Sequence, residues 1–401
     1  MMVRMHKTSL AIFVTLLSLT MVGEGMITVT LLWTSASMGQ SPIFIGVVLF
    51  IMNMVPFLAQ ILFKPMRRAI EQHPLGMIIM PRMIGCVAAS LAGMTLDASG
   101  LITLIAVAAC LTFISFISQQ CIETLMGQLT VTGMLDAGTS ARLSQTALQS
   151  GVFVGNALAG ILIAKSGTGW VFFGIAVSFA SSLLLLFAAP WVRMGRESPA
   201  QTGAGHAAMP AQRHMSERTL WLLLAGMALL AVQLSGFNFF VPLIFESRSG
   251  TSAADYGLVS AAAGVGALLA TFVRFSLRGY IGHAACGAVV IGDALVTQPV
   301  GMVLTSVFAF AIGFGFNISR IRIRQAIFER LTTKQESALW GGRVTVAFRG
   351  VSAGAPMLFG LLLMGQVPVA QSWVFAAIGV LTMGVAIPAC LLFSTRTPVW
   401  R

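Results

Sequence analysis

Apolar runs of roughly twenty residues, each long enough to cross a hydrocarbon layer of about 30 Å, follow one another along this chain almost without interruption. That feature leaves few folds open. In lipid, every backbone N–H and C=O must be satisfied internally, and apolar runs of this length do so as membrane-spanning helices. Only 9% of the 401 residues are charged, whereas a soluble domain needs about 25% to cover its surface. Twelve helical spans are read, at 9–36, 42–63, 75–96, 101–126, 142–164, 169–192, 219–245, 257–274, 283–297, 299–319, 340–364 and 371–394. The first run, Ser9 to Ser37, follows Arg4 and Lys7 as a signal peptide would. It exceeds a typical apolar signal core and no A-x-A-like site follows, so it is read as a retained first helix. The expected fold class is an all-α integral membrane protein.

Charge placement sets the orientation. With the N-terminus in the cytoplasm, twenty Lys and Arg fall on the cytoplasmic side, grouped at 4–7, 64–68, 142, 193–218, 274–278, 320–343 and 396–401. Two, Lys165 and Arg248, fall outside, and Arg82 and Arg349 lie within spans. This is a strong positive-inside bias. It accounts for the net charge of +12 without nucleic acid, and makes anionic lipid the expected partner of the basic loops. Both termini are expected in the cytoplasm, and the membrane is expected to be a bacterial inner membrane.

The longest polar stretch, Arg193–Arg218, is rich in Gly, Pro, Ala, Gln and charge, with nothing to bury, and reads as a flexible tether. It divides the chain into six-helix units at 1–192 and 219–401, joined by the linker 193–218. The five cysteines lie inside apolar runs without CxxC spacing, so neither a disulfide framework nor a metal site is indicated. The halves can be compared directly. At an offset of 211, Gly25, Gly39, Gly46 and Gly76 meet Gly236, Gly250, Gly257 and Gly287; at an offset of 200, Asn156 meets Pro356 and Gly160 meets Gly360. Repeated halves with a site between them are a common plan for alternating access.

Two stretches carry a resemblance. Residues 59–68, AQILFKPMRR, keep the three basic positions Lys64, Arg67 and Arg68 of a loop written G-x-x-x-D-R/K-x-G-R-R/K, but lack its glycines and its acid. Residues 151–160, GVFVGNALAG, are similar to G-x-x-x-G-P-x-x-G-G, with Gly151, Gly155 and Gly160 kept and Asn156 in place of proline. In these the chain resembles the major facilitator superfamily of transporters, over nearly its whole length and nearest to its twelve-helix efflux members. The resemblance implies two pseudo-symmetric six-helix bundles, a central cavity lined by helices 1, 4, 7 and 10, and gating roles for the residues just named. Glycines at this spacing let helices approach closely enough to slide or bend; ordinary tight packing is the plainer reading. The family's helix-4 arginine has no counterpart; Gln119, Gln120 and Glu123 stand near its place.

A charged side chain at mid-membrane costs at least about 2.5–3.5 kcal/mol on insertion scales, so each one asks for a reason. Glu24 lies halfway along helix 1 between Gly23 and Gly25. It reads as a proton-exchanging group, a contact for a cationic solute, or a static partner of Arg82. Glu123 reads as a second proton-coupling acid or as a group reaching water. Arg349, in helix 11, is placed to clamp a carboxylate or phosphate or to pair across the halves. Arg82 and Asp293 are equivalent at the offset of 211 and read first as structural ion pairs, with Asp293 also a proton-coupling candidate and Arg82 a cavity candidate. Asn53, Gln119, Gln233, Asn238 and Asn317 complete the expected cavity. Most of the 23 Met and 27 Phe serve packing or lipid contact, though such side chains also adapt to varied ligands.

The expected function is that of a secondary transporter and not an enzyme. No His lies deep in a span and there is no HExxH; a P-loop is also absent, so a proton gradient rather than ATP is the expected energy source, with no cofactor. Export of drug-, metabolite- or siderophore-like molecules is the leading direction, import of an anionic nutrient or metal chelate the alternative, and a non-transporting receptor the alternative of another class. The partners expected are a small-molecule substrate, protons and lipid, with the chain a monomer.

Overall fold

The computed structural model describes residues 7–131, 137–188, 217–248, 250–272, 280–328, 334–364 and 368–396. Among them every regular element is helical. In chain order these are α1 (Lys7–Ser37), α2 (Pro42–Leu62), α3 (Lys64–Gln72), α4 (Pro74–Val131), α5 (Ala137–Ser166), α6 (Thr168–Ala188) and α7 (Glu217–Glu246). Then follow α8 (Ala253–Phe272), α9 (Tyr280–Val296), α10 (Met302–Phe328), α11 (Lys334–Leu362), α12 (Pro368–Gly379), a π-helical turn (Val380–Ala386) and α13 (Ile387–Arg396). Among the described residues ten stretches are long and apolar enough to cross a bilayer; with the shorter apolar helices Gly282–Val296 and Val346–Leu362 they match the twelve expected crossings.

Two crossings run together in α4, which turns at Gly100 with φ 75° and ψ 175°. That left-handed φ favours glycine, and the same device recurs at Gly39, Gly167, Gly250 and Gly301. All five lie at one end of the bundle, between successive crossings, which is why the connections there are so short. The opposite end holds the stop of α6 and the start of α7 and is called the linker end below. The linker itself lies outside the described residues through position 216, so the expected division at 193–218 falls there. At this end a loop was expected after α2, but the chain forms α3. Pro65 fits the first turn, where no N–H bond is needed, and Ile70 is buried in a cluster with Leu16 and Ile78.

Within the first half, α1 packs along α5, α6 and α4; within the second, α10 packs on α8 and α9, and α7 on α11. Phe239 and Phe240 of α7 meet Phe359 of α11 and Phe375 of α12 with ring centroids 5.3–5.9 Å apart, an apolar knot that fixes α7 against both. The halves meet chiefly through two helix pairs, α5 with α8 and α2 with α11. The last crossing is interrupted by the π-helical turn Val380–Ala386, a feature often found where a helix must accommodate a special site.

Candidate functional site

Between the halves lies a cavity of about 350 Å³. Glu24 and Thr28 of α1, Asn53 of α2 and Gln119 of α4 reach it from the first half. From the second half come Gln233 and Asn238 of α7, Arg320 of α10 and Arg349 of α11. Phe153, Phe237, Phe316 and Phe348 supply apolar wall. It is an amphipathic chamber, apolar over most of its lining with a few convergent polar groups, as ligand sites usually are.

The geometry around Glu24 follows from its neighbours. A methyl group on Gly25 would strike the Val152 carbonyl and stand 2.9 Å from the end of the Asn156 side-chain amide, and one on Gly23 would lie 3.6 Å from the Phe179 ring. The flanking glycines therefore let α5 and α6 close on α1, and the carboxyl group is presented to the cavity. Arg349 donates from Nη2 to the Gln119 Oε1 at 3.0 Å, and its guanidinium lies 4.8 Å from the Phe116 ring centroid. This contact bridges the two halves.

Asn156 stands where the resembled motif has proline. With its amide turned to suit its surroundings, Nδ2 donates to the carbonyls of Val152 at 3.1 Å and Gly25 at 3.0 Å, and Oδ1 accepts from the Ser260 hydroxyl at 2.6 Å. One side chain thus ties α1, α5 and α8 together. Gly151 and Gly155 press on the Ser18 and Val22 carbonyls of α1, and Gly160 on Ala253 of α8. Of these glycines, Gly160 touches the other half; the first two seat α5 on α1. At the glycine-turn end, Trp33 of α1 stacks on Tyr256 of α8 at 6.3 Å and 14°.

Three expectations need correction. Arg82 does not line the cavity: it is wholly buried, with Nε donating to the Ser118 hydroxyl at 3.3 Å and Nη2 to the Thr20 hydroxyl. Its helix lies behind α1, so the long side chain ends among hydroxyls, and the static pair with Glu24, the alternative reading of both residues, is not formed. Asn317 is also wholly buried, because α10 turns it toward α8, where Nδ2 donates to the Ala267 carbonyl at 2.6 Å. Asp293 likewise has no cationic partner among the described residues. Its Oδ2 accepts from Gln233 Nε2 at 2.6 Å, while Gln233 Oε1 accepts from the Thr382 hydroxyl of the π-helical turn at 2.9 Å. Gly379 makes room for the carboxyl group. Asp293 thus sits one residue behind the cavity wall.

Arg68 is exposed at the linker end on α3; the side chains of Lys64, Arg67 and Glu123 lie outside the described ones. Sequence reasoning missed Arg320, which it counted with the cytoplasmic arginines just past a span end. α10 in fact runs on to Phe328, which carries Arg320 into the cavity lining, 4.7 Å from the Phe348 ring centroid. The signal was the apolar Ile321 and Ile323 beyond it.

No family model and no curated protein matches the sequence. Solved structures do match along the whole chain. The nucleoside transporter NupG aligns with a TM-score of 0.67 at 12% identity, over 97% of this chain and 100% of that one. A bacterial homolog of the human lysosomal transporter Spinster, in an inward-facing and occupied conformation, aligns with a TM-score of 0.62 at 13% identity, over 98% and 97%. The same homolog, inward-facing and unoccupied, gives 0.60 at 15% identity, over 97% and 95%. At such identities the likeness speaks for architecture alone. With twelve crossings and two six-helix halves meeting at a lined central cavity, this integral membrane protein has the major facilitator superfamily fold.

Proposed function

We propose that the chain is a secondary active transporter that moves a small organic solute across the membrane by alternating access, driven by the proton gradient. One observation carries the reading: the cavity between the halves brings together a carboxyl group, two guanidinium groups and several amides among the described residues, while the helices around it touch through glycine backbones. A site placed between two rigid bundles can open to either side as they rock. Glu24 is the group through which protons would be coupled, since it is the carboxylate that reaches the described lining. Neighbours of the same fold that are named as transporters support transport over a receptor role.

The Gly151, Gly155 and Gly160 contacts are what supports export of drug-, metabolite- or siderophore-like solutes, through their resemblance to an antiporter motif. Arg349, whose hydrogen-bond partner is a neutral amide, favours the second reading, import of an anionic nutrient or chelate. Counterflow and pH-jump assays on the purified chain in proteoliposomes test the reading. Solute movement that follows an imposed pH gradient is expected. A folded, ligand-binding protein that moves none of its ligands in either assay would make it a receptor.

A further inference from the structure

The charged side chains that reach the described cavity lining are Glu24 on α1, Arg320 on α10 and Arg349 on α11. The other elements packed on α1 contribute none to it. α2 presents Asn53, α5 presents Asn156 and α7 presents Gln233; α6 has no charged residue; Arg82 of α4 is turned to Thr20 and Ser118. The two cations therefore share one wall, in the second half of the chain.

The Arg349 guanidinium rests on the Phe116 ring. An aromatic face holds a cation without neutralising it. Arg349 also has five N–H donors, and the described residues engage it through the Gln119 amide alone. No carboxylate bonds it among the described residues. A guanidinium in the membrane interior, oriented by a ring and a neutral amide, has the donors and the charge to bind a carboxylate or phosphate with two parallel hydrogen bonds.

We propose that the solute is an organic anion, with a carboxylate or phosphate monoester held by Arg349 and an apolar body resting on the cavity's phenylalanines. Glu24 shares the chamber, so its ionised form repels this solute and its protonated form does not. At an effective dielectric of about 20, a like charge about 10 Å away weakens binding by a factor on the order of ten. Because linkage is reciprocal, the anion favours the protonated cavity and the proton the anion-loaded one. A proton that enters on Glu24 from the side the cavity faces leaves on the other side with the anion. The coupling is then symport. The anion's movement rests on the transporter reading above, whereas its binding does not.

The test uses the full-length chain in detergent, with phenylacetate and phenyl phosphate as anionic probes, phenylacetamide as neutral control and phenethylamine as cationic control. Binding is read by calorimetry and thermal unfolding across pH. The anions should bind and the controls should not, with Arg349→Gln weakening the anions by about 10- to 100-fold. Arg349→Lys should retain part of the affinity, and Glu24→Gln should tighten the anions about tenfold near neutral pH and remove their pH dependence. Without ligand, Arg349→Gln should unfold no earlier than the parent, because it removes a charge that no carboxylate among the described residues compensates. The proposal is overturned if the amine or the amide binds as well as the acids, if Arg349→Gln keeps the anions, or if that variant is markedly less stable when empty. Anion binding without movement in proteoliposomes would sink the transporter reading and leave this one standing; pH-driven transport of a solute indifferent to Arg349 would do the reverse.

Discussion

Gly160 of α5 and Gly257 of α8 lie so close that a methyl group added to Gly257 would stand 3.0 Å from the Gly160 Cα. The crossing of α2 and α11 repeats this contact. There a methyl group on Gly360 would stand 2.7 Å from the Ile43 Cα, and one on Gly46 would run into the Pro356 carbonyl. The two crossings correspond in sequence, since Gly46 matches Gly257 at an offset of 211 and Gly160 matches Gly360 at an offset of 200. Both join one half of the molecule to the other near the glycine-turn end. We propose them as the pivots of the rocking motion that alternating access would require, since such a motion needs backbones that meet without interlocked side chains.

Valine at Gly160 or at Gly46 should therefore separate a helix pair rather than merely crowd it. Overpacking of this kind costs about 1–3 kcal/mol, and the loss should appear as a lower unfolding temperature together with slower transport. Alanine at Gly287, which faces open space, is the control and should stay within about 0.5 kcal/mol of the parent. Unfolding midpoints and uptake rates of the three variants decide the matter. Parental behaviour of Gly160→Val would remove α5 and α8 as a pivot.

Orientation follows from the placement of the basic residues. Ser37, at the glycine-turn end, and Arg68, at the linker end, are both exposed. In a cysteine-free background, a membrane-impermeant thiol reagent applied to intact cells should label Ser37→Cys and spare Arg68→Cys until the membrane is opened. The reverse pattern would invert the topology and refute the positive-inside reading.

Arg82 offers a test of buried polar satisfaction. Thr20→Val keeps the shape of the site but deprives Nη2 of its acceptor, which should cost about 1–3 kcal/mol. Replacing Arg82 by methionine removes the donor and the buried charge together. In that background Thr20→Val should be nearly neutral, giving a coupling comparable to the single loss. Thermal unfolding of the four proteins yields the cycle. Simple additivity would show that the guanidinium does not depend on the hydroxyl.

How much of this was legible in the sequence differs from level to level. The crossings were readable because hydrocarbon thickness fixes their length, and the pivot glycines because the repeat aligns them. The side each residue faces was less readable. In a soluble helix the apolar stripe marks the interior, but in lipid both faces are apolar, so periodicity does not separate cavity from neighbouring helix. Arg82 and Asn317 were misplaced for that reason, being polar for the sake of an adjacent helix. Arg320 was missed because a basic residue at a span end looks like a topology signal even where the helix continues. The π-helical turn, where Thr382 meets Gln233, leaves no compositional mark on Val380–Ala386.

Glu24 is where the proposed mechanism is most exposed to refutation. It sits in the middle of α1, half-buried, with α5 and α6 drawn close by Gly25 and Gly23 and its carboxyl group facing the cavity. Glu24→Gln keeps the size and the hydrogen-bonding capacity while fixing the charge at zero. If Glu24 carries the coupled proton, the variant should fold with a parental unfolding temperature and exchange solute in counterflow. Accumulation under a gradient of one pH unit, ideally about tenfold for one proton per cycle, should fall to none. A structural role predicts the opposite pattern, with lower stability and coupling intact in whatever protein survives. Uphill transport retained by a stable Glu24→Gln protein would take Glu24 out of the mechanism. The search would then move to Asp293, which reaches the cavity wall through Gln233, with Gln233→Leu as the variant that severs it.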